Sequence, residues 1–374
     1  MNGDQQSDSL TESRAQLWEA LDECDETRAI AVVRRALGTA EPKRLHDMDL
    51  SSAEQMRAAG ERVLLELIAP AQKRVGLAWA ANEITVAQEH AATAISERCV
   101  AAVADATAPA LFGPFTGRVL VACVDGEWHA LPALLMSEVL RMRGWRVDYL
   151  GAQVPTEYLV SHVRRTRAQA VLLSSSIPTL LPGAHNAITS LQSVGVPVLA
   201  GGAAFGPQGR YARMMRAEWA ADARGAAALL GQNLAGPGEH APRLPDLDLP
   251  HLGDQEYTMI HRTRTQLVKQ TLADVEEGFP EMRDYSEYQR ERTVEDIDFI
   301  VGYLATAVYV DDPGLFTRFI AWTADILAAR GVPPRCLLPA LDSLLAQLKD
   351  FPRAVGILHQ GRDRLDPPPA ARHT

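Results

Sequence analysis

Between about residues 117 and 235, the sequence alternates short apolar runs with amphipathic ones. The apolar runs have the length of strands and cover Val119–Val124, Arg146–Leu150, Ala170–Ser174, Val196–Ala200 and Glu218–Ala221. The runs between them repeat apolar residues at helical spacing. Buried strands separated by helices are typical of a parallel sheet with helices on its faces. We therefore predict a doubly wound parallel-sheet domain, Rossmann- or flavodoxin-like, over residues 117–235.

Helical patterns flank this domain on both sides. Residues 13–108 contain four of them joined by short links, which predicts a four-helix bundle. Residues 254–360 are helical almost throughout and predict a separate all-helical domain. The Pro/Gly-rich stretch 236–253 is predicted to be a linker, and the polar ends 1–12 and 361–374 are predicted to be disordered. The fold class is thus a multidomain α and α/β protein.

Composition excludes some classes of function. The net charge of −10 and the pI of about 5.5 give no general attraction to nucleic acid. We expect no membrane span and no signal peptide, because no apolar run is long enough and the N-terminus is polar. The cysteines are scattered without paired spacing, which predicts buried, reduced thiols in a cytoplasmic protein; they are Cys24, Cys99, Cys123 and Cys336.

The loop after the first predicted strand carries the first candidate site. It contains Glu127, His129 and Pro132 and leads into a helical pattern. Open α/β sheets bind ligands at the carboxyl ends of their strands, where this loop lies. A carboxylate can hold one ring nitrogen of a nearby histidine and leave the other for a metal. The simpler alternative is a surface histidine beside a turn.

The spacing of later residues favours the metal. Ser174 and Ser176 follow the third strand, and Gly201 and Gly202 follow the fourth. The whole set resembles the cobalamin-binding pattern Asp-x-His-x-x-Gly, then Ser-x-Leu, then Gly-Gly. Glu127 stands for the Asp, a form seen in the light-sensing branch of that family.

This resemblance implies a role for each residue. Pro132 stands for the first Gly of the pattern, and the Leu position reads Ser176 or Ile177, depending on the register. His129 would be the lower axial ligand of cobalt, in place of the cofactor's own base. The serines would lie along the buried nucleotide tail of the cofactor, and the glycines would let the backbone approach it.

A second set of candidate residues lies in the predicted bundle. Trp79 is followed, after nine residues, by Glu89 and His90. Taken alone, these are a core tryptophan and an exposed pair. The spacing nevertheless resembles the cap of photoreceptors that use adenosylcobalamin, in which the tryptophan packs over the adenosyl group and the Glu and His contact it.

Two features depart from those photoreceptors. Ala80 occupies the position after the tryptophan, where many of them have a histidine that can bind cobalt after illumination. His90 or water would therefore take the upper position here. We also expect no DNA-binding helix-turn-helix, since the residues before Ser13 leave no room for one.

The C-terminal helical region resembles that of photocobilins, which join a cobalamin light-sensing unit to a domain that binds biliverdin. The runs 303–322 and 326–332 carry the likeness. The helical spans of this region and their lengths are compatible with a globin-like or phycobiliprotein-like fold. A bilin needs apolar walls, a polar group for its pyrrole nitrogens and cations for two propionates. The candidates are His261, Arg262, Arg264, Tyr303 and Trp322. Cys336 is either a covalent attachment point or a buried free thiol.

Together these resemblances predict a light-sensing signalling protein, not an enzyme, with adenosylcobalamin and biliverdin as chromophores. We expect a homo-oligomer whose state depends on light, a downstream effector protein, and no nucleic-acid or membrane partner. Two alternatives stay open: the corrinoid carrier subunit of a methyltransferase, and a cobalamin sensor whose C-terminal domain binds a protein and no bilin. A plain Rossmann enzyme is disfavoured, because no Gly-x-Gly-x-x-Gly follows the first strand.

Overall fold

The computed structural model describes residues 2–38, 49–111, 114–232, 249–278, 282 and 286–366. The chain divides into two compact units, Met1–Pro242 and Arg243–Thr374. Most of the predicted linker, and the end of the predicted tail, lie outside the described residues. No helix in the described ranges combines the length and the apolar character needed to cross a membrane.

The first unit begins with a helical bundle. Side chains cap three of its helices: Asp25 accepts from the amide of Arg28, Asp49 from that of Ser52, and Thr85 forms a capping box with Gln88. The helices are α1 (Asn2–Asp22), α2 (Glu26–Ala36), α3 (Leu50–Val63), α4 (Ala69–Ala80) and α5 (Val86–Thr107).

The prediction that residues 1–12 are disordered is wrong for the described part of that range. Helix α1 already begins at Asn2. The polar run before Ser13 has no apolar periodicity, which is why we expected disorder. It also has no proline, so nothing in it stops the helix from extending toward the N-terminus.

Helices α3 and α4 are one helical rod interrupted by a π turn over Leu64–Ile68. Pro70 lies in the first turn of α4 and has no N–H to donate to the carbonyl four residues earlier, that of Glu66. The Nε of Arg14 donates to this carbonyl instead, at 2.8 Å. The π turn therefore lies where a proline and a side chain from α1 replace the regular helical hydrogen bond.

The predicted parallel sheet is present and has five strands. All neighbouring strands run parallel, in the order β2-β1-β3-β4-β5, which is the flavodoxin-like order. The direction of winding reverses between β1 and β3, so a crevice opens at their carboxyl ends. The strands are β1 (Gly117–Cys123), β2 (Trp145–Gly151), β3 (Ala170–Ser174), β4 (Val198–Gly201) and β5 (Glu218–Trp219).

The helices around the sheet are α6 (Leu131–Met142), α7 (Thr156–Thr166), α8 (Leu181–Ser193), α9 (Arg210–Met214) and α10 (Ala223–Gly231). Helix α6 joins the bundle to the sheet, because Leu135 and Val139 belong to the bundle core while Ala133 and Leu140 belong to the sheet core.

Ion pairs reinforce this junction between the bundle and the sheet. Glu61 on α3 accepts two hydrogen bonds from Arg143 at the end of α6, at 2.8 and 2.9 Å. Arg224 on α10 donates to Glu61 at 3.0 Å and to Glu66 at 2.8 Å. Burial raises the pKa of Glu61, but these arginines outweigh it and the pKa is lowered. Helix α3 is thus fixed to both helices that cover this face of the sheet.

The second unit is all-helical, as predicted; its likeness to a globin stays a prediction. A capping box of Ser286 and Gln289 begins a helix that continues through residue 290. One boundary differs from that predicted. The last helix runs to Leu365, into the predicted disordered tail. The helices are α11 (Glu256–Gly278), α12 (Glu287–Val310), α13 (Pro313–Ala329), α14 (Leu338–Gln347) and α15 (Pro352–Leu365).

A buried polar cluster holds the start of this unit to its end. The carboxylate of Glu256 accepts from the backbone amides of Arg353 and Ala354, at 3.1 and 2.9 Å, and so satisfies the first turn of α15. The guanidinium of Arg353 donates to Asp254 and to the carbonyl of Val308. The chain from Asp254 onward is therefore fixed to α12 and α15.

The predicted burial of the cysteines is confirmed for two of the four. Cys99 and Cys123 are buried, and burial raises the pKa of each thiol to about 12. Cys24 and Cys336 are exposed, which contradicts the prediction of four buried thiols. Cys24 lies in the turn between α1 and α2 among acidic residues, and Cys336 lies in the short 3-10 helix Pro334–Leu337, so neither is held inside a packed helix.

Two glycines in α15 provide a matched test of the packing in the second unit. A Cβ at Gly361 would lie 2.6 Å from Cε1 of Phe316, whereas one at Gly356 would meet no atom within 4 Å. Gly356→Ala should raise the free energy of unfolding by about 0.5–1 kcal/mol, since alanine favours a helix. Gly361→Ala should lower it by about 1–3 kcal/mol through overpacking.

Urea unfolding of the full chain, with hydrogen exchange measured along α15, separates the two effects. If both alanines changed stability in the same direction, the described packing of α15 against α13 would be wrong.

Candidate functional site

The loop after β1 is organised by one buried carboxylate, that of Glu127. Its Oε1 accepts from the backbone amide and from Nδ1 of His129, at 2.9 and 2.6 Å. Its Oε2 accepts from the hydroxyl of Ser175 at 3.2 Å and from the amides of Ser176 and Ile177 at 2.5 and 3.2 Å. Glu127 thus joins the loops after β1 and β3, on either side of the point where the winding reverses.

These hydrogen bonds determine the charge of the pair. Burial favours the neutral form of Glu127, but the hydrogen bonds from His129, Ser176 and Ile177 outweigh it and lower the pKa to about 2. The hydrogen bond to Glu127 is also the main reason why the pKa of His129 is raised, although burial opposes it. The carboxylate is therefore ionised at neutral pH.

His129 has one ring nitrogen available for a ligand. Nδ1 faces Glu127, whereas 58% of the side chain is exposed to solvent. A hydrogen bond from Nδ1 to a carboxylate fixes the orientation of the ring and makes Nε2 a better metal ligand. A single imidazole of this kind suits a metal whose other ligands belong to a macrocycle. The predicted metal-ligand role of His129 fits this geometry.

A narrow apolar slot opens at the same edge of the sheet. It has a volume of about 240 Å³ and is bordered by β1, β3 and β4 on one side and by α6 and α10 on the other. Ser174, Gly201 and Gly202 line it, as predicted for a nucleotide tail. Pockets that enclose a whole drug-sized ligand usually measure about 300–1,000 Å³, so this slot fits one flat appendage of a larger ligand.

The two glycines of the slot have different roles. Gly202 has a φ of +104°, and a Cβ there would lie 2.2 Å from the carbonyl oxygen of Ser175. The fold itself therefore requires Gly202. A Cβ at Gly201 would meet only the carbonyl of Ala220, at 3.9 Å, so the fold tolerates a side chain there. Such a side chain would occupy the slot, as expected where a ligand approaches the backbone.

The predicted cap residues lie on α4 and α5. Trp79 is half-buried and packs against the bundle core. The carboxylate of Glu89 accepts from the hydroxyl of Thr93 at 3.0 Å and lies 2.7 Å from Nδ1 of His90, whose ring is mostly exposed. The hydroxyl of Thr93 in turn accepts from Nε2 of the Gln72 side chain on α4, at 2.6 Å. The side chain of Glu89 is thus held in place from both helices.

One residue of the cap set, Glu89, lies near the loop after β1. The carboxylate of Glu89 contributes to the raised pKa of His129, so the two groups lie within electrostatic range of each other.

Sequence reasoning missed several contributors to this site. Ser176 was expected beside a ligand, but its amide binds Glu127; Ser175, between the two predicted serines, supplies a buried hydroxyl to the same carboxylate. Leu65 lines the slot from the π turn of the cap. The run of three serines was visible in sequence, whereas the position of Leu65 depends on the π turn.

The candidate bilin residues of the second unit fall into separate groups. Tyr303 stacks on Phe319 with ring centroids 3.8 Å apart, and Trp322 lies 6.5 Å from the same ring. Arg264 is held by both carboxylate oxygens of Asp298, each at 2.6 Å. The two remaining candidates, His261 and Arg262, are exposed.

Comparison with known proteins identifies the kind of domain in the first unit. Residues 117–229 match the sequence profile of the B12 binding domain, and residues 13–104 match a second profile with the same description. The first unit therefore contains cobalamin-binding domains, and the buried Glu127, the available ring of His129 and the slot lie within them.

Three relatives are similar over parts of the chain. The HTH-type transcriptional repressor CarA of Myxococcus xanthus is 37% identical over 91 residues, which are 24% of this chain and 31% of that protein. CarH, an HTH-type transcriptional repressor of the same organism, is 34% identical over 142 residues, or 37% and 46% of the two chains. The dimethylamine corrinoid protein of Methanosarcina barkeri is 24% identical over 199 residues, or 52% and 85%. The chain thus spans less than half of either repressor.

Replacing Glu127 tests the electrostatics of the pair. In Glu127→Gln, the pKa of His129 should fall, because the main cause of its increase is removed. Titration of the ring by NMR measures this change. Asp125→Asn, which neutralises an exposed carboxylate of the same loop, is the matched control and should leave the pKa of His129 unchanged. An unaltered pKa in Glu127→Gln would contradict the described hydrogen bond.

Substitutions of the two glycines should affect cobalamin binding and protein stability differently. Gly201→Ala should keep the thermal stability of the protein and weaken cobalamin binding at least tenfold, because the added methyl group occupies the slot. Gly202→Ala should lower the stability by about 1–3 kcal/mol, since an L residue is strained at that φ and collides with Ser175. Thermal unfolding and equilibrium dialysis of each variant measure the two effects. Tight binding by Gly201→Ala would show that the tail does not enter this slot.

Proposed function

We propose that this protein, whose first unit contains B12-binding domains, is a light-sensing signalling protein that uses adenosylcobalamin and has no catalytic activity of its own. The observation that carries the proposal is the buried Glu127 and its hold on His129, with the cap carboxylate of Glu89 within electrostatic range. One imidazole below the cofactor and a polar group above it are what a cobalamin sensor needs.

On the lower side of the cofactor, residues of the sheet domain would bind the cobalamin and orient it. Glu127 keeps Nδ1 of His129 engaged, so that Nε2 would be available to hold the cobalt of a bound cobalamin. Ser174 and the backbone at Gly201 border the slot for the nucleotide tail. This side is a permanent anchor, because none of its groups depends on the upper ligand.

On the upper side, Trp79, Glu89 and His90 are proposed to contact the adenosyl group. Adenosylcobalamin, when bound, supplies a cobalt–carbon bond that visible light cleaves. These three residues would make their contacts only while the adenosyl group is attached, and they would thereby bias the position of the cap toward one arrangement in the dark. Losing those contacts would change the arrangement of domains or of subunits in a homo-oligomer, which a downstream effector protein then recognises.

The carrier alternative shares the bundle and the sheet. The similarity to a dimethylamine corrinoid protein over 85% of that protein's length fits a corrinoid carrier of a methyltransferase. The sensor is preferred for two reasons: Glu127 stands where carriers usually have Asp, and the set Trp79, Glu89 and His90 resembles the cap of the photoreceptors. The similarity to two transcriptional repressors agrees with a regulatory role.

For the second unit, we propose biliverdin as a second chromophore. The stacked rings of Tyr303 and Phe319, with Trp322 beside them, form an aromatic surface of the kind a bilin packs on. Arg264 is a weaker candidate for a propionate than the sequence suggested, since Asp298 already pairs with it. Arg262 and His261 are exposed and remain better candidates. The alternative is that this surface binds a protein and no pigment.

The test is an absorption spectrum of the full chain, prepared in the dark with adenosylcobalamin and biliverdin and passed through gel filtration. We expect a cobalamin band that changes on green light and a bound band that absorbs red light. A cobalamin band without the red one would make the second unit an interaction domain. Methylcobalamin retained in preference to adenosylcobalamin would favour the carrier.

Variants of α4 test the signalling step. In Trp79→Ala, green light should still change the cobalamin band, but the accompanying change in hydrodynamic radius should shrink at least twofold, because the cap no longer senses the adenosyl group. Leu77→Ala removes an exposed leucine from the same helix and should behave like the unmodified protein. A full change of radius in Trp79→Ala would contradict the proposed role of Trp79.

A further inference from the structure

The walls of the slot beside the sheet are almost entirely aliphatic. Its side chains come from three strands, from α6 and from the π turn of the cap; the main ones are Leu65, Val121, Leu135, Met136, Leu172 and Leu199. Most of them belong to the cores of the first unit, so the inner part of the slot is an extension of those cores.

The backbone groups at the strand ends are already paired. The carbonyl of Ser174 accepts from the amide of Val124 at 3.1 Å, and the carbonyl of Gly201 accepts from the amide of Ser175 at 3.1 Å. The carbonyl of Ala200 accepts from Ala220 at 3.4 Å. A ligand in the slot therefore finds few backbone partners.

Among the described residues that border the slot, two have polar side chains. Asp222 is exposed at its mouth and caps α10 by accepting from the amide of Gly225, at 2.7 Å. Ser174 has a hydroxyl with no hydrogen bond to any other residue that the structure describes. The inner part of the slot can therefore form about one directed side-chain hydrogen bond with a ligand.

We propose that this slot selects among cobamides by their lower base, accepting an apolar benzimidazole and disfavouring adenine. The inference rests on the proposed cobalamin function. A benzimidazole that has left the cobalt presents one acceptor nitrogen, which the hydroxyl of Ser174 can satisfy. Adenine adds an exocyclic amine and further ring nitrogens, and burying these without partners is unfavourable.

Leu65 gives the cap a part in this selection. It lies in the π turn Leu64–Ile68 and faces the strands across the slot. The ion pairs of Glu61 and Glu66 with Arg224 hold this part of the cap against α10, which forms another wall. A cap fixed in this way keeps the slot narrow and excludes water that would otherwise solvate a polar base.

The test measures dissociation constants of the full-length protein in the dark for three corrinoids with the same upper ligand. They are cobalamin, the analogue with adenine as lower base, and cobinamide, which lacks the base. Quenching of tryptophan fluorescence reports binding. Cobalamin should bind at least tenfold more tightly than the adenine analogue, equivalent to about 1.4 kcal/mol. Equal affinities for these two would overturn the inference.

Two leucine variants test whether the preference for cobalamin depends on the walls of the slot. Leu65→Ala opens the wall to water and should reduce the preference for cobalamin over the adenine analogue at least threefold. Leu77→Ala, an exposed leucine of the same cap, should leave the preference unchanged. If the preference were unaltered in Leu65→Ala, the cap would not contribute to the selectivity.

The remaining outcomes separate this inference from the proposed function. If cobinamide binds as tightly as cobalamin, the base does not occupy the slot; the selectivity is then wrong while the cobalamin function stands. If no corrinoid binds at all, the proposed function fails, and the inference fails with it.

Discussion

The site depends on a carboxylate that is removed from solvent and yet ionised. Glu127 is fully buried, and its charge persists because two donors reach one oxygen and three reach the other. Burying a carboxylate without such partners would cost several kcal/mol or neutralise it. The same hydrogen bonds fix the ring of His129 and join the loops after β1 and β3. One buried charge therefore fixes the orientation of the His129 ring and the loops on both sides of the crevice.

The helical bundle packs directly on the sheet domain that carries this site. Helix α6 contributes apolar residues to both cores, and Glu61 pairs with arginines on α6 and α10, so the base of the cap is firmly fixed to the sheet domain. Of the residues predicted to contact the adenosyl group, Trp79 lies on α4, after the π turn, and Glu89 and His90 lie on α5. A cap that is rigid at one end and dependent on ligand contacts at the other is suited to signal loss of an upper ligand.

The strands and most helices could be predicted from the sequence. A strand buried on both faces is a continuous apolar run, and a helix buried on one face repeats apolar residues at helical spacing. The pair Glu127 and His129 could be predicted too, since its spacing is local and resembles a known pattern. What the sequence did not reveal depends on tertiary contacts. Arg14 from α1 donates to the carbonyl that the π turn leaves open, and the hydroxyl of Ser175 reaches a carboxylate 48 residues away. The glycine at position 361 is explained by the ring of Phe316, which leaves no room for a Cβ. The polar start of α1 was missed because a helix without apolar periodicity leaves no such record.

The central claim is that Nε2 of His129 binds cobalt, and electron paramagnetic resonance of the Co(II) form tests it most directly. The full chain would be prepared with histidine labelled with ¹⁵N, loaded in the dark with adenosylcobalamin and illuminated without oxygen. If His129 is the axial ligand, the nitrogen splitting of the cobalt signal changes from triplets to doublets on labelling, and His129→Ala removes the effect. Triplets that persist after labelling would show that the cofactor's own base remains on the cobalt, and the account given for His129 would be wrong.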